Sequence, residues 1–226
     1  MASIAQIVSE IAHSVNQADS IPVRRAIKLG IIHSRNELIR KSYGNHNYTD
    51  KGLQQRIRVE IIDVPDGDIV NSSKFNIQKI KRTKHKVPKP VRLTNNLPFH
   101  SIRTVGVKTP IEIAFVKEST ARYYSNLPGF CNNPTYDYIN DYIYINLPNN
   151  ELNQLGYIII ESVFEYPHLI EIETNEGKVN LDEINDDDEF LLPEDMINAV
   201  KKMVLETFIP EIVKDTNEIP KDILIK

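Results

Sequence analysis

Tyr136-Asp137-Tyr138-Ile139-Asn140-Asp141-Tyr142-Ile143-Tyr144-Ile145 is the stretch that decides how this chain is read. Two runs rich in aromatic and β-branched residues, which suit a pleated and half-buried surface, flank Asn140-Asp141. Asn and Asp tolerate the positive φ angles of a two-residue hairpin turn, so the stretch predicts a β-hairpin. Its neighbours widen the hairpin into a sheet. Tyr157–Tyr166 reads as a long strand stopped by Pro167, Ile111–Val116 as a well-buried strand, and Ser101–Val107 as an alternating one. Together they predict an antiparallel sheet of four or more strands.

Outside this centre the hydrophobic period changes from strand to helix. Ile4, Ile7, Val8, Ile11 and Val15 mark a helix over 3–16. Ser20-Ile21-Pro22 reads as the start of a second, with Ser20 as cap and proline in the first turn. Its core side carries Val23, Ile27, Ile31 and Leu38, with Arg24, Arg25, Lys28 and Arg35 assigned to the surface, and Tyr43-Gly44-Asn45 stops it at about Ser42. Leu53, Ile57 and Ile61 continue as helix or strand, and Asp66-Gly67-Asp68 is a turn. Near the other end, Pro193 opens a helix whose Glu194 and Asp195 complement the N-terminal dipole; Met196, Val200, Met203, Val204 and Phe208 form its apolar stripe, and Pro210 ends or kinks it. The order predicts an α+β fold, with N- and C-terminal helices packed together, an inserted antiparallel β-sheet and an extended C-terminal arm. The expected parts are 1–68 (helical), 69–190 (basic loop and β insertion) and 191–226 (helix and docking arm).

A chain of 226 residues, 41% hydrophobic and 26% charged, has the composition of a folded soluble protein. The single cysteine, Cys131, excludes an intrachain disulfide framework and is expected as a small buried hydrophobe. Met1–Gln6 lacks a basic region followed by an apolar one, and no apolar run approaches the roughly 20 residues that span a bilayer, so neither standard secretion nor a membrane partner is expected. Asn47-Tyr48-Thr49 and Asn71-Ser72-Ser73 then match the glycosylation pattern by accident.

Charge is sorted along the chain. Residues 1–108 carry 19 Lys and Arg against 8 Asp and Glu, a balance of +11, whereas residues 109–226 carry 8 against 23, a balance of −15. No acid falls between Asp68 and Glu112, and from Glu171 to Asp195 there are eleven acids against Lys178 alone. Such a molecule attracts a copy of itself or a partner of complementary charge; the competing reading is two solvated faces. The run 79–86 is read as too polar to bury, and Pro88 and Pro90 forbid a regular helix, so an extended loop or edge hairpin reaching from the body is expected. Lys79, Lys81, Arg82, Lys84, Lys86, Lys89 and Arg92 are the candidate partner- or DNA-facing residues. Lysines on such a loop suit phosphate contacts, an acidic patch on a protein, or solubility alone. Only Phe75 and Phe99 flank the run, so base-stacking platforms are not evident.

Catalytic patterns are missing. His13, His33, His46, His85, His100 and His168 form no metal-binding spacing, and one cysteine cannot make a zinc site. Asp186-Asp187-Asp188-Glu189 lacks the spaced oxygens and mid-loop glycine of a calcium loop. The eight glycines form no phosphate loop, and no Gly-x-Ser-x-Gly elbow exists. No catalytic residue, cofactor or metal is expected.

The run Leu191-Leu192-Pro193-Glu194-Asp195-Met196-Ile197, followed by a helix and then by Ile219-Pro220-Lys221-Asp222, resembles a pattern of tailed-phage virion proteins. The Arg24–Arg40 helix and the Tyr-rich hairpin are similar to those of head–tail connector (ring or adaptor) proteins of crAss-like podoviruses. The resemblance implies a non-enzymatic virion protein: a ring of twelve copies stacked below the portal around the DNA channel, contacting further ring or tail proteins and assembled in the host cytoplasm. It implies that a basic patch on one copy meets an acidic patch on the next, or that the cationic loop instead faces the DNA-bearing lumen, with non-specific DNA contact, or the acidic portal. It further implies that a C-terminal arm, Ile219, Pro220, Ile223, Leu224 and Ile225, docks on a neighbour, ordering as it does so. The strand-rich centre departs from purely helical adaptors. The alternatives are a sequence-independent DNA-binding protein using the 74–92 segment, and a tail-fibre or baseplate component.

Overall fold

The computed structural model describes residues 2–46, 50–65, 67–68, 79–93, 97–105, 110–117, 133–147, 154–170, 187 and 189–208. The chain divides into two units, one formed by Met1–Thr49 with Leu181–Lys226 and the other by Asp50–Asn180. The fold is mixed α+β, with three α-helices and a seven-stranded sheet among the described residues.

In the helical unit, α1 spans Ile4–Ser14 and begins where the Ser3 hydroxyl accepts the Gln6 amide at 3.2 Å. Its buried side is Ile4, Ile7, Val8, Ile11 and Ala12. Asn16, in the left-handed region at φ 56°, turns the chain out of the helix. The second helix, α2, spans Ile21–His46. It runs past the expected stop at Ser42: Gly44 costs a helix only about 1 kcal/mol, too little by itself to end one. Val23, Ile27, Ile31 and Ile39 are buried on it, with Arg35 in the same line at four-residue steps. Arg35, expected on the surface, is 1% exposed. Its Nε donates to the Leu191 carbonyl at 3.0 Å and its Nη1 to Asn36 Oδ1 at 3.0 Å. Burial pushes its guanidinium down to about 10, still a cation at neutral pH.

The third helix, α3, spans Glu194–Met203, after which the chain widens into a π turn over Val204–Phe208. Pro193 stands just outside the helix, with Glu194 and Asp195 in the first turn. Ile197, Val200 and Val204 form the buried side, rotated from the expected stripe so that Met196 is only half-buried. Lys201 hydrogen-bonds Glu10, which holds that carboxyl below its ordinary value, and the Phe190 amide donates to the Ala2 carbonyl at 3.1 Å.

The sheet unit contains β1 (Gln55–Asp63), β2 (Lys79–Thr83), β3 (Ser101–Thr104), β4 (Ala114–Phe115), β5 (Thr135–Ile139), β6 (Tyr142–Leu147) and β7 (Tyr157–Ser162). Their order is β3-β7-β1-β2-β6-β5-β4, antiparallel throughout except for the parallel β4–β5 pair. The hairpin forms as the opening stretch dictates: Asn140 (φ 52°) and Asp141 (φ 68°) both take positive φ, and Ile139 faces Tyr142 across the turn. Strand β1 serves two ladders, pairing Gln55–Glu60 with β7 and Ile61–Asp63 with β2. Its Ile57, Val59 and Ile61 point inward while Arg56 and Arg58 stay exposed.

The two sheet edges are drawn together by one short segment. The Ile113 amide donates to Ile102 O at 2.8 Å on β3, and the Val116 amide to Tyr136 O at 2.9 Å on β5. The sheet is therefore nearly closed, which leaves little open edge to pair with other chains. Inside lie Ile57, Ile102, Ile143, Ile160, Phe99 and Phe164 among others. Each such side chain contributes about 1.5–3 kcal/mol by leaving water.

The expected loop or edge hairpin reaching from the body is not what residues 79–83 form. They are β2, an inner strand between β1 and β6. Lys74, Phe75, Ile77, Cys131, the stretch 171–186 and the whole arm with Ile219, Pro220, Ile223, Leu224 and Ile225 lie outside the described residues.

Candidate functional site

A polar strand can occupy the middle of a sheet only if each charge finds a partner, because an unpaired buried cation is strongly unfavourable. Lys81 and Arg82 of strand β2 meet that condition. Lys81, 9% exposed, donates from Nζ to the Leu155 carbonyl at 2.9 Å, with Asp63 at 3.8 Å. Arg82 pairs with Asp68 and lies over the Tyr142 ring, its Cζ 4.6 Å from the centroid. Asp68 also accepts the Tyr144 hydroxyl at 2.8 Å, and burial together with this bond raises the Tyr144 phenol above its ordinary value.

Just past the strand, Lys84 bonds Glu60 at 2.8 Å, which raises the lysine, and the Lys84 amide donates to Glu60 O at 3.0 Å. Lys86 lies 3.6 Å from Asp141. The backbone of Lys79 opens β2. Four of the seven candidate cations are thus held by carboxylates or carbonyls of their own unit.

Lys89 and Arg92 differ. Both are exposed, and neither has a carboxylate partner among the described residues. The backbone beneath them is fixed: Glu165 N donates to Lys89 O at 2.9 Å, and Val91 N to Val163 O at 2.8 Å. Pro88 and Pro90 limit the local φ, and buried Val87 and Val91 anchor the segment on either side.

These two cations line an open groove of about 790 Å³, joined there by exposed Lys117. Its apolar wall includes Leu97, 42% exposed, with Phe115 and Tyr138. Edge-on contact between Phe99 and Tyr138, with centroids 5.1 Å apart at 80°, and the Phe115–Tyr136 contact at 5.3 Å hold that wall in place. Asp141 and Glu165 also line the groove. Asp141 is engaged by Lys86 and by the Tyr138 hydroxyl at 3.2 Å.

Among the described residues, the lining contains no His, Cys, Ser or Thr to form a nucleophile–base pair. Among the described residues no cluster of His, Cys, Asp or Glu could hold a metal ion, and no helix is long and apolar enough to cross a membrane. The arrangement suits binding of an extended segment with both negative and apolar side chains. Sequence singled out Lys89 and Arg92 but missed Leu97, Phe115, Lys117 and Tyr138. They come from separate segments, so no spacing marks them; the Tyr-rich hairpin was the one hint.

A search of curated proteins finds no match to this chain. The model of the family described as phage tail ring protein 2 matches residues 6–223, nearly the full length and across both units. That match makes the chain a member of the phage tail ring protein 2 family of crAss-like phages: a structural virion component that assembles as an oligomer in the tail ring.

Proposed function

We propose that this protein is a head–tail connector, a ring of twelve subunits that bridges the portal and the tail around the channel through which DNA leaves the virion. The observation that carries the reading is the sorting of charge, +11 over residues 1–108 and −15 over residues 109–226, in a chain of a ring-protein family. Copies side by side in a closed ring meet through two different surfaces, and opposite charge on the two favours the correct orientation over the reverse. The helical unit, with its N- and C-terminal helices packed together, supplies the ring's body in this reading. The arm, Ile219, Pro220, Ile223, Leu224 and Ile225, docks on the neighbouring subunit. Assembly takes place in the host cytoplasm without catalysis by the protein.

Of the candidate cations, Lys89 and Arg92 are the partner-facing residues under this proposal. The internal pairing of Lys81, Arg82, Lys84 and Lys86 disfavours a DNA-coating role for the segment as a whole. Mass photometry of the purified protein, alone and with its portal, at low and moderate salt tests the reading. A closed high-order ring or a stable portal complex is expected. A monomer indifferent to the portal in both salts would overturn it.

A further inference from the structure

The groove has the chemistry to receive a particular partner, and the chain itself contains a segment of that chemistry. Residues 171–186 carry Glu171, Glu173, Glu176, Asp182, Glu183 and Asp186 against one lysine, Lys178. Ile172, Val179, Leu181 and Ile184 are interleaved with those acids. The groove offers the converse, exposed Lys89, Arg92 and Lys117 beside Leu97, Phe115 and Tyr138. We infer that the groove of one copy binds segment 171–186 of the neighbouring copy, an inference that rests on the ring reading above.

Two considerations select this occupant over nucleic acid. A duplex backbone presents phosphates and no apolar side chains, so it would leave Leu97 and Phe115 unused. An acidic segment with interspersed Ile, Val and Leu satisfies both halves of the groove, the apolar contacts supplying affinity and the charges orientation. A ring also requires each subunit to present two unlike, mutually complementary surfaces. Groove and acidic segment are such a pair on one chain.

The test uses the full-length protein and a fluorescently labelled synthetic peptide of residues 171–186, followed by anisotropy. Saturable binding is expected, weakened about tenfold by the combined Lys89→Glu and Arg92→Glu substitutions. Because neither side chain has a carboxylate partner among the described residues, the variant should melt as the parent does. No binding, binding indifferent to the double substitution, or equal binding of a polyglutamate peptide of the same length would overturn the inference. So would displacement of the peptide by a short DNA duplex whose own binding needs Lys89 and Arg92.

Ring assembly, measured separately by mass photometry with portal, keeps the two proposals apart. Undiminished rings from the Lys89→Glu, Arg92→Glu variant overturn the groove contact and leave the ring reading intact. Absence of rings or portal complexes from the parent overturns the ring reading itself. A second variant, Glu171→Lys with Glu173→Lys and Glu176→Lys, should also fail to assemble alone, and mixing it with the groove variant should restore rings. Restoration only when both sets of substitutions share one chain would place the segment in its own groove and overturn the contact between copies.

Discussion

Arg35 in the helical unit and Arg82 in the sheet unit are both largely withdrawn from water, yet they are held in different ways. Arg35 lies in line with Ile27, Ile31 and Ile39 and donates to the Leu191 carbonyl and the neighbouring Asn36 amide oxygen. Arg82 has a carboxylate, Asp68, and an aromatic face, Tyr142. The pattern extends to the surroundings. The helical unit surrounds buried Arg35 with an apolar stripe, whereas the sheet unit sets successive cations against Glu60, Asp63, Asp68 and Asp141. In the first unit a charge fastens one segment to a helix. In the second, charge is the means by which a strand as polar as β2 lies inside a sheet at all.

Substitutions can break or sharpen this contrast. Phe164→Ala, at a fully buried position of the sheet core, should cost about 3–5 kcal/mol in urea denaturation. A single transition that still takes both units together would show that they do not unfold as separate bodies. Asp68→Ala strips Arg82 and Tyr144 of a common partner and should cost about 2–4 kcal/mol. A loss below about 0.5 kcal/mol would mean that the pairing does not hold β2 in place. Arg35→Met should cost about 1–3 kcal/mol by orphaning the Leu191 carbonyl, and a stabilised protein would remove the contrast between the units.

Alkaline pH should affect the sheet unit next. Burial first, and then nearby Glu112 and Asp137, raises the Tyr136 phenol; burial first, and then Asp68, raises Tyr144. Below about pH 10 folded and unfolded chains both keep these protons, so the stabilisation is fully present. As pH rises further the unfolded chain ionises first, and stability falls until the folded phenols ionise as well. Tyr136→Phe with Tyr144→Phe should flatten that decline in melts taken from neutral to alkaline pH, and an unchanged slope would reject the assignment. The smallest effect belongs to the exposed pair: Lys89→Gln and Arg92→Gln should each shift stability by less than about 0.5 kcal/mol. A larger loss would mean that they serve the fold, as Arg82 does.

How much was legible in the sequence follows the same division. The hairpin was readable because Asn140-Asp141 is a local instruction; both residues adopt the φ that the turn requires. The helices were readable from spacing, though Gly44 was given too much weight and α2 continues to His46. Arg35 was misplaced because residue type was allowed to outvote position, when four-residue steps from Ile27 and Ile31 led to it. The basic run was misread for a deeper reason. Its partners Glu60, Asp68 and Asp141 are brought to it by strand pairing, and nothing within 79–86 announces them. The groove was out of reach for the same cause, since its walls come from segments as far apart as Lys89 and Glu165.

The division of the chain also orders events in time. Residues of the sheet unit are contiguous, Asp50–Asn180, while the helical unit needs both Met1–Thr49 and Leu181–Lys226. During synthesis from the N-terminus, the sheet unit has all its strands before α3 leaves the ribosome. Until then α1 and α2 lack Phe190, Leu191 and Lys201, which supply the partners for Ala2, Arg35 and Glu10. A chain cut short before Phe190 therefore has a complete sheet unit but lacks the partners that finish the helical one.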